Sequence, residues 1–532
     1  MKKRLCVLAA VAAAVGAIIA LPTGAADNNS GFHTSLPALL TPLVPGSSVT
    51  PIISVGDTVR GYKFESIPDG ISFTRNGRGT MDVYVNHETS LVPFPAARSD
   101  FTNSLVSRLR LNQHSAGVLR GDYAIDSDSN YQRFCSNFLV GPAQGFEREL
   151  LLTNEEARDI VLRQGYAWHP PFVSLDEPSA EQAGVVVALD TKSGAHRSIF
   201  GMGRHNHEND VGVPGYGHPV VLSGDDTFDA PASQLYMYSA SSGHALWNDQ
   251  GTLYAFVADD PNVNDYGDFP AANGASGHFV PVPRAIATGK RADGTDARAA
   301  DFGFPAPPAG IPDGPQWVLE YWSHNVVRAL QFIRIEDIAD DRTTPNVVYF
   351  ADTGEPRAIP DGAGRLRRGM SGTRGAYPNG RIFKLVLDPN DPLTVQSLSV
   401  LIDQDPLGYD NPAAMHQPDN VETTANSLLI TEDPGGHNQG AAIGYAKVWR
   451  YTLPAGPLVA VAQVDQSQRP ALPPGSWESS GIIDASAAFG PGAFLIDVQA
   501  HGWEIETAPS PYPGITLMRE AGQLMLLRVP GS

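Results

Sequence analysis

Short apolar runs that end in acidic residues recur along the chain and predict a repeated β-structure. The run Leu428-Leu429-Ile430 leads into Glu432 and Asp433, and its boundaries of Asn, Gly and Pro are typical of a buried strand. Packing alone gives no reason for carboxylates at the end of a buried strand. Similar runs lie at 83–88, 150–156, 220–226, 347–352 and 494–501.

The spacing of these strand ends indicates the fold. They lie at 88, 156, 226, 352, 433 and 501, at intervals of 68 to 81 residues apart from one of 126. Such a period, with strands and no long helical pattern, predicts an all-β fold, a β-propeller with loop insertions. Six blades fit the count best, with seven as the alternative. The same end of every blade faces the central channel, so we expect the acids to converge there.

Composition agrees with a large, turn-rich β-protein. The chain has 532 residues, 42% of them hydrophobic, with 53 Gly and 44 Pro. We predict an extended arm over 27–60 and a single propeller domain over 61–532. Gly/Pro-rich and Arg/Gly-rich stretches predict insertions near 260–318 and 354–380.

The N-terminus reads as a secretory signal peptide over residues 1–26. Lys2, Lys3 and Arg4 precede an apolar segment, and small residues stand before Asp27; this order is typical of export signals. The alternative, an uncleaved membrane anchor, is disfavoured because the Ala-rich segment is a marginal span. We therefore expect a periplasmic or extracellular protein that is soluble after cleavage.

The net charge of the chain limits the kinds of partner that it is expected to bind. The formal net charge is −20, and cleavage of the three basic residues would take it to about −23. Such a surface disfavours nucleic acid and anionic membranes, and it would repel phosphate esters unless cations lie in the site. We expect a monomer that binds divalent metals and a small-molecule substrate.

Cys135 is the cysteine that remains after cleavage, so the mature chain forms no intramolecular disulfide. It is either a small buried hydrophobe or a thiolate metal ligand. The other residues expected at the channel are Glu88, Glu155, Glu156, Glu208, Asp225, Asp226, Glu336, Asp419, Glu432, Asp433 and His501.

So many carboxylates in one channel would raise each other's pKa unless cations neutralise them. Oxygen ligands favour calcium, and a thiolate beside carboxylates favours a transition metal such as iron. Arg334 lies two residues before Glu336, so on a strand both point to the same side. There Arg334 could hold a phosphate group bidentately, and we predict Arg334 and Glu336 as catalytic residues.

The chain resembles the PhoX-type alkaline phosphatase family of exported, metal-dependent bacterial enzymes over about residues 61–505. The matching motifs are Pro68-Asp69-Gly70, Asn86-His87-Glu88, Cys135, Thr153-Asn154-Glu155-Glu156, His207-Glu208, Gly224-Asp225-Asp226, Arg334 with Glu336, Pro418-Asp419, and Gln499 with His501.

The resemblance implies a six-bladed propeller with a calcium and iron cluster that hydrolyses phosphomonoesters, with Arg334 holding the phosphate. The ligands that it implies are Cys135, Glu156, Glu208, Glu336 and Asp419, with Asp225 or Asp226 in addition. Convergence of the strand ends adds Glu88 and Asp433 to the predicted ligands.

The chain departs from the family at several motifs. Ile335 stands where the family has proline, residues 144–149 replace a Thr-Pro-Trp-Gly-rich segment, and Ala500 separates Gln499 from His501. The N-terminus also lacks the twin-arginine signature. These departures predict a divergent branch, in which the substrate is free to differ from the family's.

Two other functions stay open. A calcium-dependent propeller hydrolase such as a lactonase needs few acids, so Cys135 and Arg334 would be replaceable. A non-catalytic extracellular scaffold would use metals only to join its blades, and chelation would then lower stability with no activity to lose. The ordered set of acids, Cys135 and Arg334 favours the phosphatase.

Overall fold

The computed structural model describes residues 30–77, 79–93, 97–163, 173–227, 233–270, 273–355, 358–360, 366–368, 377–434 and 444–532. The predicted signal peptide lies outside these ranges. Within them, no helix has the length and apolar character needed to cross a bilayer.

Strands dominate the described residues. The strands of the first half are β1 (Leu40–Pro42), β2 (Ser48–Ser54), β3 (Thr58–Val59), β4 (Tyr62–Lys63), β5 (Pro68–Gly77), β6 (Thr80–His87), β7 (Arg98–Asp100), β8 (Leu105–Asn112), β9 (Val118–Ile125), β10 (Phe134–Val140), β11 (Leu150–Glu155), β12 (Ile160–Leu162), β13 (Ala180–Gln182), β14 (Val186–Asp190), β15 (His196–Ile199), β16 (His207–Gly212) and β17 (Val220–Asp225). Those of the second half are β18 (Leu235–Ser239), β19 (Thr252–Ala258), β20 (Ala275–Pro281), β21 (Ile335–Asp340), β22 (Val347–Asp352), β23 (Ala358–Pro360), β24 (Leu366–Arg368), β25 (Arg381–Leu387), β26 (Thr394–Asp403), β27 (Pro418–Thr423), β28 (Ser427–Glu432), β29 (Lys447–Thr452), β30 (Leu458–Val464), β31 (Glu478–Asp484), β32 (Ala493–Pro509) and β33 (Thr516–Arg528).

Among the described residues the α-helices are few and short. They are α1 (Gly243–Trp247), α2 (Arg284–Thr288), α3 (Pro315–Tyr321) and α4 (Ser486–Phe489). A π-helical turn, Trp322–Val326, continues α3.

The strands form six blades. β5-β6-β8-β9 make blade one and β10-β11-β14-β15 make blade two. Blade three (β16–β19) and blade four (β21, β22, β25, β26) are joined by β20 into one nine-stranded sheet. Blade five holds β27–β30, and blade six holds β31–β33. β20 comes from the stretch near 260–318, so part of this stretch forms a strand of the sheet.

The innermost strands close a ring. β5, β10, β16, β21, β27 and β31 each contact the next, and β31 contacts β5. The prediction of an all-β propeller is confirmed, and the described residues form six blades.

The N-terminal segment closes the sheets at their outer edges. β1 pairs with β30 of blade five, with Leu40 opposite Val464. β2 pairs with β33 of blade six, with Ser48 opposite Arg528. Strands from the first and the last part of the described residues therefore lie side by side in one sheet.

Packing of blade against blade explains the continuous apolar runs. Leu150 and Leu152 of β11 pack towards blade three in one cluster with Val221. Leu151 points the other way and packs with Tyr84 of blade one. Because both faces of a middle strand are covered, alternation of polar and apolar residues is lost there.

Candidate metal centre

Every inner strand has a bulge at the same position. In blade one, Pro68 pairs with His87 and Ile71 pairs with Val85, so two residues of β5 lie opposite a single residue of β6. The inner strands of the other five blades have the same extra residue at the same place. A bulge changes the direction of its side chains. The first bulged residues, which we name the bulge ring, are Asp69, Cys135, Glu208, Glu336, Asp419 and Ser480.

Side chains of the bulge ring, together with Glu88 and Glu156, bring atoms that are able to ligate a metal ion close together. In each of three groups the atoms lie within 4.8 Å of one another. The groups are Asp69 with Cys135 and Glu208, Glu208 with Glu336 and Asp419, and Glu88 with Cys135 and Glu156. Cys135 and Glu208 each belong to two groups, so the three form one continuous cluster.

A second set of side chains lies on the second strand of each blade, one residue after the residue that pairs just before the bulge. The backbone N–H of these residues bonds the carbonyl before the inner strand, as Glu88 does to Ile67 (2.9 Å) and Asp433 does to Gln417 (3.0 Å). The set, placed by these bonds and by register, is Glu88, Glu156, Asp226, Thr353, Asp433 and Gln499.

Four of the predicted acidic strand ends, 88, 156, 226 and 433, therefore occupy equivalent places. Asp352 instead accepts the backbone N–H groups of Ile333 and Gly354, both at 2.9 Å. His501 lies two residues past Gln499 and pairs with Glu520 at 3.0 Å. The structure does not bring Asp352 or His501 into this set. Their positions depend on strand register, which the amino-acid sequence alone does not reveal.

Two further expected channel residues have structural roles. Glu155 accepts Nη1 of Arg163 at 2.8 Å. Glu432 accepts the indole N–H of Trp449 at 2.8 Å and the backbone N–H of His416 at 2.7 Å. Both carboxylates accept hydrogen bonds from these donors and do not point towards the cluster.

Asp225 and Asp226 point to opposite sides of their strand. Asp226 accepts Nε of Arg334 at 2.6 Å and also binds its Nη2. Asp225 instead accepts the hydroxyl of Thr227 at 2.9 Å, and that hydroxyl lies 2.6 Å from Glu320 of α3. Of the two candidate ligands, Asp226 lies beside Glu156 and Glu336 of the cluster and Asp225 does not, since neighbouring strand residues face opposite ways.

Arg334 lies at the edge of the cluster. Besides Asp226, its Nη2 lies 3.2 Å from Oε1 of Glu336. One guanidinium faces two carboxylates here, so this group has a net negative charge before the other acids of the cluster are counted. Asp433, the last predicted ligand, lies beside Glu478, whose pKa is raised by burial and next by the charge of Asp433.

The electrostatics of the cluster favour bound cations. Burial is the largest cause of a raised pKa at Asp69, Glu208, Glu336 and Asp419, and neighbouring carboxylates raise these values further. Burial also raises the pKa of the Cys135 thiol, and that of Glu88 to about 7. A cation would lower all of these because it favours the ionised forms.

Hydrogen bonds hold the side chains of the cluster in place. Asp69 accepts the Cys135 thiol at 2.6 Å and the Ser480 hydroxyl at 2.8 Å. Ser136 donates to Oε1 of Glu208 at 3.0 Å and accepts Nδ2 of Asn420 at 2.9 Å.

Asp69 and Ser480 were not predicted as site residues. Pro68-Asp69-Gly70 reads as a turn, yet it has the same pattern as Pro418-Asp419-Asn420. Alignment of these two motifs would have identified Asp69. Ser480 lacks such a signal because its blade has no acid at the bulge.

The chain has detectable similarity to known proteins only in structure. No protein-family model matches it, and no curated protein matches its sequence. It is similar to the structure of Pseudomonas fluorescens PhoX in complex with vanadate, a transition state analogue, with a TM-score of 0.57 and 18% identity over 94% of this chain and 98% of that one.

Weaker matches include a protein of unknown function from Dyadobacter fermentans (TM-score 0.40, 9% identity, 91% of this chain and 100% of that one). Another is the Trypanosoma rangeli sialidase (TM-score 0.33, 9% identity, 92% and 60%). At 18% identity the first match shows a common fold, and the chain is a β-propeller of the kind seen in the PhoX structure.

Proposed function

We propose that this protein is a secreted, metal-dependent phosphatase that hydrolyses phosphate esters at a calcium and iron cluster. The observation that carries the proposal is the continuity of the three ligand groups through Cys135 and Glu208. One isolated acidic group would suit a structural ion, whereas linked groups beside an arginine suit the binding of a polyanionic ester.

The donor set fits the proposed metals. Thiolate and carboxylate together at Asp69, Cys135 and Glu208, and at Glu88, Cys135 and Glu156, suit iron. The all-oxygen group of Glu208, Glu336 and Asp419 suits calcium. When bound, such cations supply positive charge that attracts phosphate oxygens and stabilises the charge developing on them.

The chain's own residues would orient the ester. Asp226 and Glu336 hold the guanidinium of Arg334 at the edge of the cluster, so Arg334 is positioned before substrate arrives. A phosphate oxygen would share this guanidinium through charge-assisted hydrogen bonds. Glu336 would then act both as a metal ligand and as a partner of the phosphate-binding arginine.

Residual exposure indicates the side of approach. Arg334 is 8% exposed and Asp419 and Glu156 are each 7% exposed, whereas Asp69 and Glu208 are each 1% exposed. Glu88 is more exposed than any of these, so substrate would approach from the face of the cluster that bears Glu88, Glu156, Arg334 and Asp419. Asp69 and Glu208 would hold metal away from solvent.

The remaining parts of the proposal follow from the sequence. The N-terminal signal supports export to the periplasm or the outside of the cell, and the acidic charge supports a small-molecule phosphate ester rather than nucleic acid or a membrane as partner. We propose a monomer, because the propeller closes within one chain.

Elemental analysis of the secreted protein tests the proposal. Calcium and iron per chain are measured for the unaltered protein, for Cys135→Ala and for the control Asp225→Asn, with monoester and diester hydrolysis in parallel. We expect about one or more iron atoms per chain, lost with phosphatase activity in Cys135→Ala and kept in the control.

Two results would favour the alternatives. Calcium alone, unchanged by Cys135→Ala, would make Cys135 a core residue and favour a calcium-dependent hydrolase such as a lactonase. Loss of stability on chelation, with no ester hydrolysed by metal-replete protein, would favour the non-catalytic scaffold.

A further inference from the structure

The chain enters the inner strands of blades one to five through one repeated hydrogen bond. In each of these blades, the residue two positions before the bulge-ring residue accepts, at its carbonyl, the backbone N–H of a member of the second set of side chains. These entry residues are Ile67, Arg133, Asn206, Arg334 and Gln417. Arg133 of blade two and Arg334 of blade four therefore occupy equivalent places in the repeat, and the proposed function uses only Arg334.

The two arginines differ in backbone conformation and in the neighbours of their side chains. Arg133 has a φ of 45°, and Ile67 and Gln417 share this left-handed conformation at 48° and 50°. Residues with side chains adopt it at a cost and often near functional sites. Arg334 has no such φ. Its guanidinium turns to Asp226, whereas that of Arg133 turns outwards, to the Val92 carbonyl (3.3 Å).

The guanidinium of Arg133 lies beside the exposed end of the ligand cluster. Burial raises the pKa of Glu88 to about 7, and the positive charges of His501 and Arg133 act in the opposite direction, so both cations lie close to this carboxylate. The backbone N–H of Arg133 donates to the Thr89 carbonyl at 3.2 Å, next to Glu88. Arg133 is therefore on the face from which substrate would approach.

The two arginines stand at opposite ends of a row of acids. Burial is the largest cause of the raised pKa of Glu156, followed by the charges of Asp226 and Glu88, so Glu156 lies close to both. These three acids belong to blades one, two and three, which follow one another around the ring. Arg133 lies beside Glu88 at one end, and Arg334 binds Asp226 at the other.

Arg133 is held less tightly than Arg334. Its Nε lies 3.3 Å from Oδ2 of Asp159, but this oxygen has no hydrogen-bond partner among the described residues, so the contact is an ion pair without hydrogen-bond geometry. Arg334 instead donates two hydrogen bonds to Asp226. The side chains of Arg133 and Asp159 are 16% and 21% exposed. An anion from solution can therefore reach this guanidinium without breaking a bidentate pair.

The other acids near Arg133 compete weakly for its charge. Glu88 belongs to a proposed ligand group and would be neutralised by metal. Asp100 accepts the backbone N–H of Ser90 at 2.8 Å, and burial raises its pKa to about 7. Asp159 is then the main anion that a ligand would displace from Arg133.

We propose that Arg133 is a specificity-determining residue that binds a second anionic group, a carboxylate or a further phosphate, on the alcohol part of the ester. The inference rests on the proposed phosphatase function. The transferred phosphoryl group would lie at the cluster with Arg334, and the second anion would lie at the Glu88 end of the row. Guanidinium groups bind carboxylates and phosphates through strong, charge-assisted hydrogen bonds, for which a neutral alcohol offers no partner.

Non-hydrolysable phosphonates test this binding whether or not the protein hydrolyses esters. Calorimetry on the metal-replete, unaltered protein compares carboxyalkyl phosphonates of increasing length with alkyl phosphonates of the same length. We expect the carboxylate to tighten binding by about 10–100-fold at the length that reaches Arg133, as charged hydrogen bonds do. Equal affinity of the two compounds at every length would overturn the proposal.

Variants assign the preference to Arg133. Arg133→Gln removes the charge, and Gln417 shows that glutamine adopts the same backbone conformation at the equivalent place. It is expected to lose the preference for the carboxylate and to keep its calcium and iron. The control Arg148→Gln breaks an ion pair with Asp190 (2.9 Å) near the opposite end of β11 and should keep the preference. A preference that survives in Arg133→Gln would contradict the assignment.

A second variant acts in the opposite direction. Asp159→Asn removes the anion that competes for Arg133, so we expect it to bind the carboxyalkyl phosphonate several-fold more tightly and the alkyl phosphonate unchanged. Weaker binding of the carboxyalkyl compound in Asp159→Asn would count against a displaceable ion pair.

Kinetics separate this inference from the proposed function. Phosphoglycerate and glycerol phosphate share a carbon skeleton, and only the first has a carboxylate. Arg133→Gln should raise KM for phosphoglycerate with kcat nearly unchanged, because uniform binding is lost, and should leave glycerol phosphate hydrolysis as it was. An unaltered protein that hydrolyses neither ester but prefers the carboxyalkyl phosphonate would refute the phosphatase and keep the anion site.

Discussion

The adjacent residues Asp225 and Asp226 allow a stringent test, because both are fully buried and face opposite sides. In Asp226→Asn the bidentate partner of Arg334 loses its charge. Removing one member of a buried ion pair costs about 3–5 kcal/mol, and this range is an upper bound here because Glu336 still faces the guanidinium. The Asp225→Asn change is not equivalent: burial and the charge of Glu320 raise the pKa of Asp225 well above its ordinary value, so a neutral amide should cost far less.

The hydrogen bonds of Thr227 give the same expectation for Asp225. Its one hydroxyl proton lies between Asp225 (2.9 Å) and Glu320 (2.6 Å) and donates to only one of them. The other carboxyl must carry a proton of its own to complete the bonding. An amide at position 225 supplies an N–H in that proton's place, so we expect a change of less than about 1 kcal/mol.

The magnitude converts into a measurable shift in Tm. At about 2.1 cal/mol/K per residue, a mature chain of roughly 500 residues has an unfolding entropy near 1 kcal/mol/K. A loss of about 3–5 kcal/mol in Asp226→Asn is then expected to lower Tm by about 3–5 °C, against about 1 °C or less for Asp225→Asn. Phosphatase kcat/KM should fall about 10–100-fold only in Asp226→Asn, because residues that position a site typically have effects of that size.

Scanning calorimetry and p-nitrophenyl phosphate hydrolysis on both variants measure these quantities. Equal losses in the two variants would refute the assignment of opposite faces. A larger loss of Tm or activity in Asp225→Asn would refute the protonated state of Asp225.

Three further predictions concern the cluster and the ring. Chelated protein should lose stability as pH rises from about 4.5 to about 7. The reason is that Glu88 has a pKa of about 7 in the folded protein against an ordinary value of 4.5, so its ionisation in this range favours the unfolded chain. Tm measured against pH with and without Ca²⁺ should show this slope only after chelation. Gly481→Ala should lower Tm by several degrees and reduce metal content, because a Cβ at this position would overlap the Asp69 carbonyl oxygen. The control Gly141→Ala has open space around its Cβ and should change neither Tm nor metal content. Deletion of residues 27–54 should remove β2 from β33 and give a chain that aggregates or melts at lower temperature by light scattering and calorimetry, and an unchanged Tm would contradict its closing role.

The sequence predicts the propeller well because its signals are local. Apolar runs such as 150–152 and 220–222 are blade-centre strands covered on both faces, and their period follows the blades. The merging of blades three and four through β20 was not predictable, because it depends on pairing between segments far apart in sequence. The stretch near 260–318 has a loop-like composition although part of it forms a strand.

The candidate site was predictable only in part. Cys135, Glu208, Glu336 and Asp419 are the first residues of bulges, and they stand in recognisable motifs. The opposite directions of Asp225 and Asp226, and the displacement of Asp352 and His501, depend on strand register. Register is set by pairing partners that a single sequence does not display.

The pairing of β2 with β33 sets an order for folding. β2 can pair only after β33 has been synthesised, some 470 residues later. At about 5–20 residues per second this takes roughly 25–95 s of synthesis. Until then both edges stay open, and contacts so distant in sequence form slowly. Ser480 of blade six completes the bulge ring and binds Asp69 of blade one, so the ring that would receive metal is itself assembled only when the last blade meets the first.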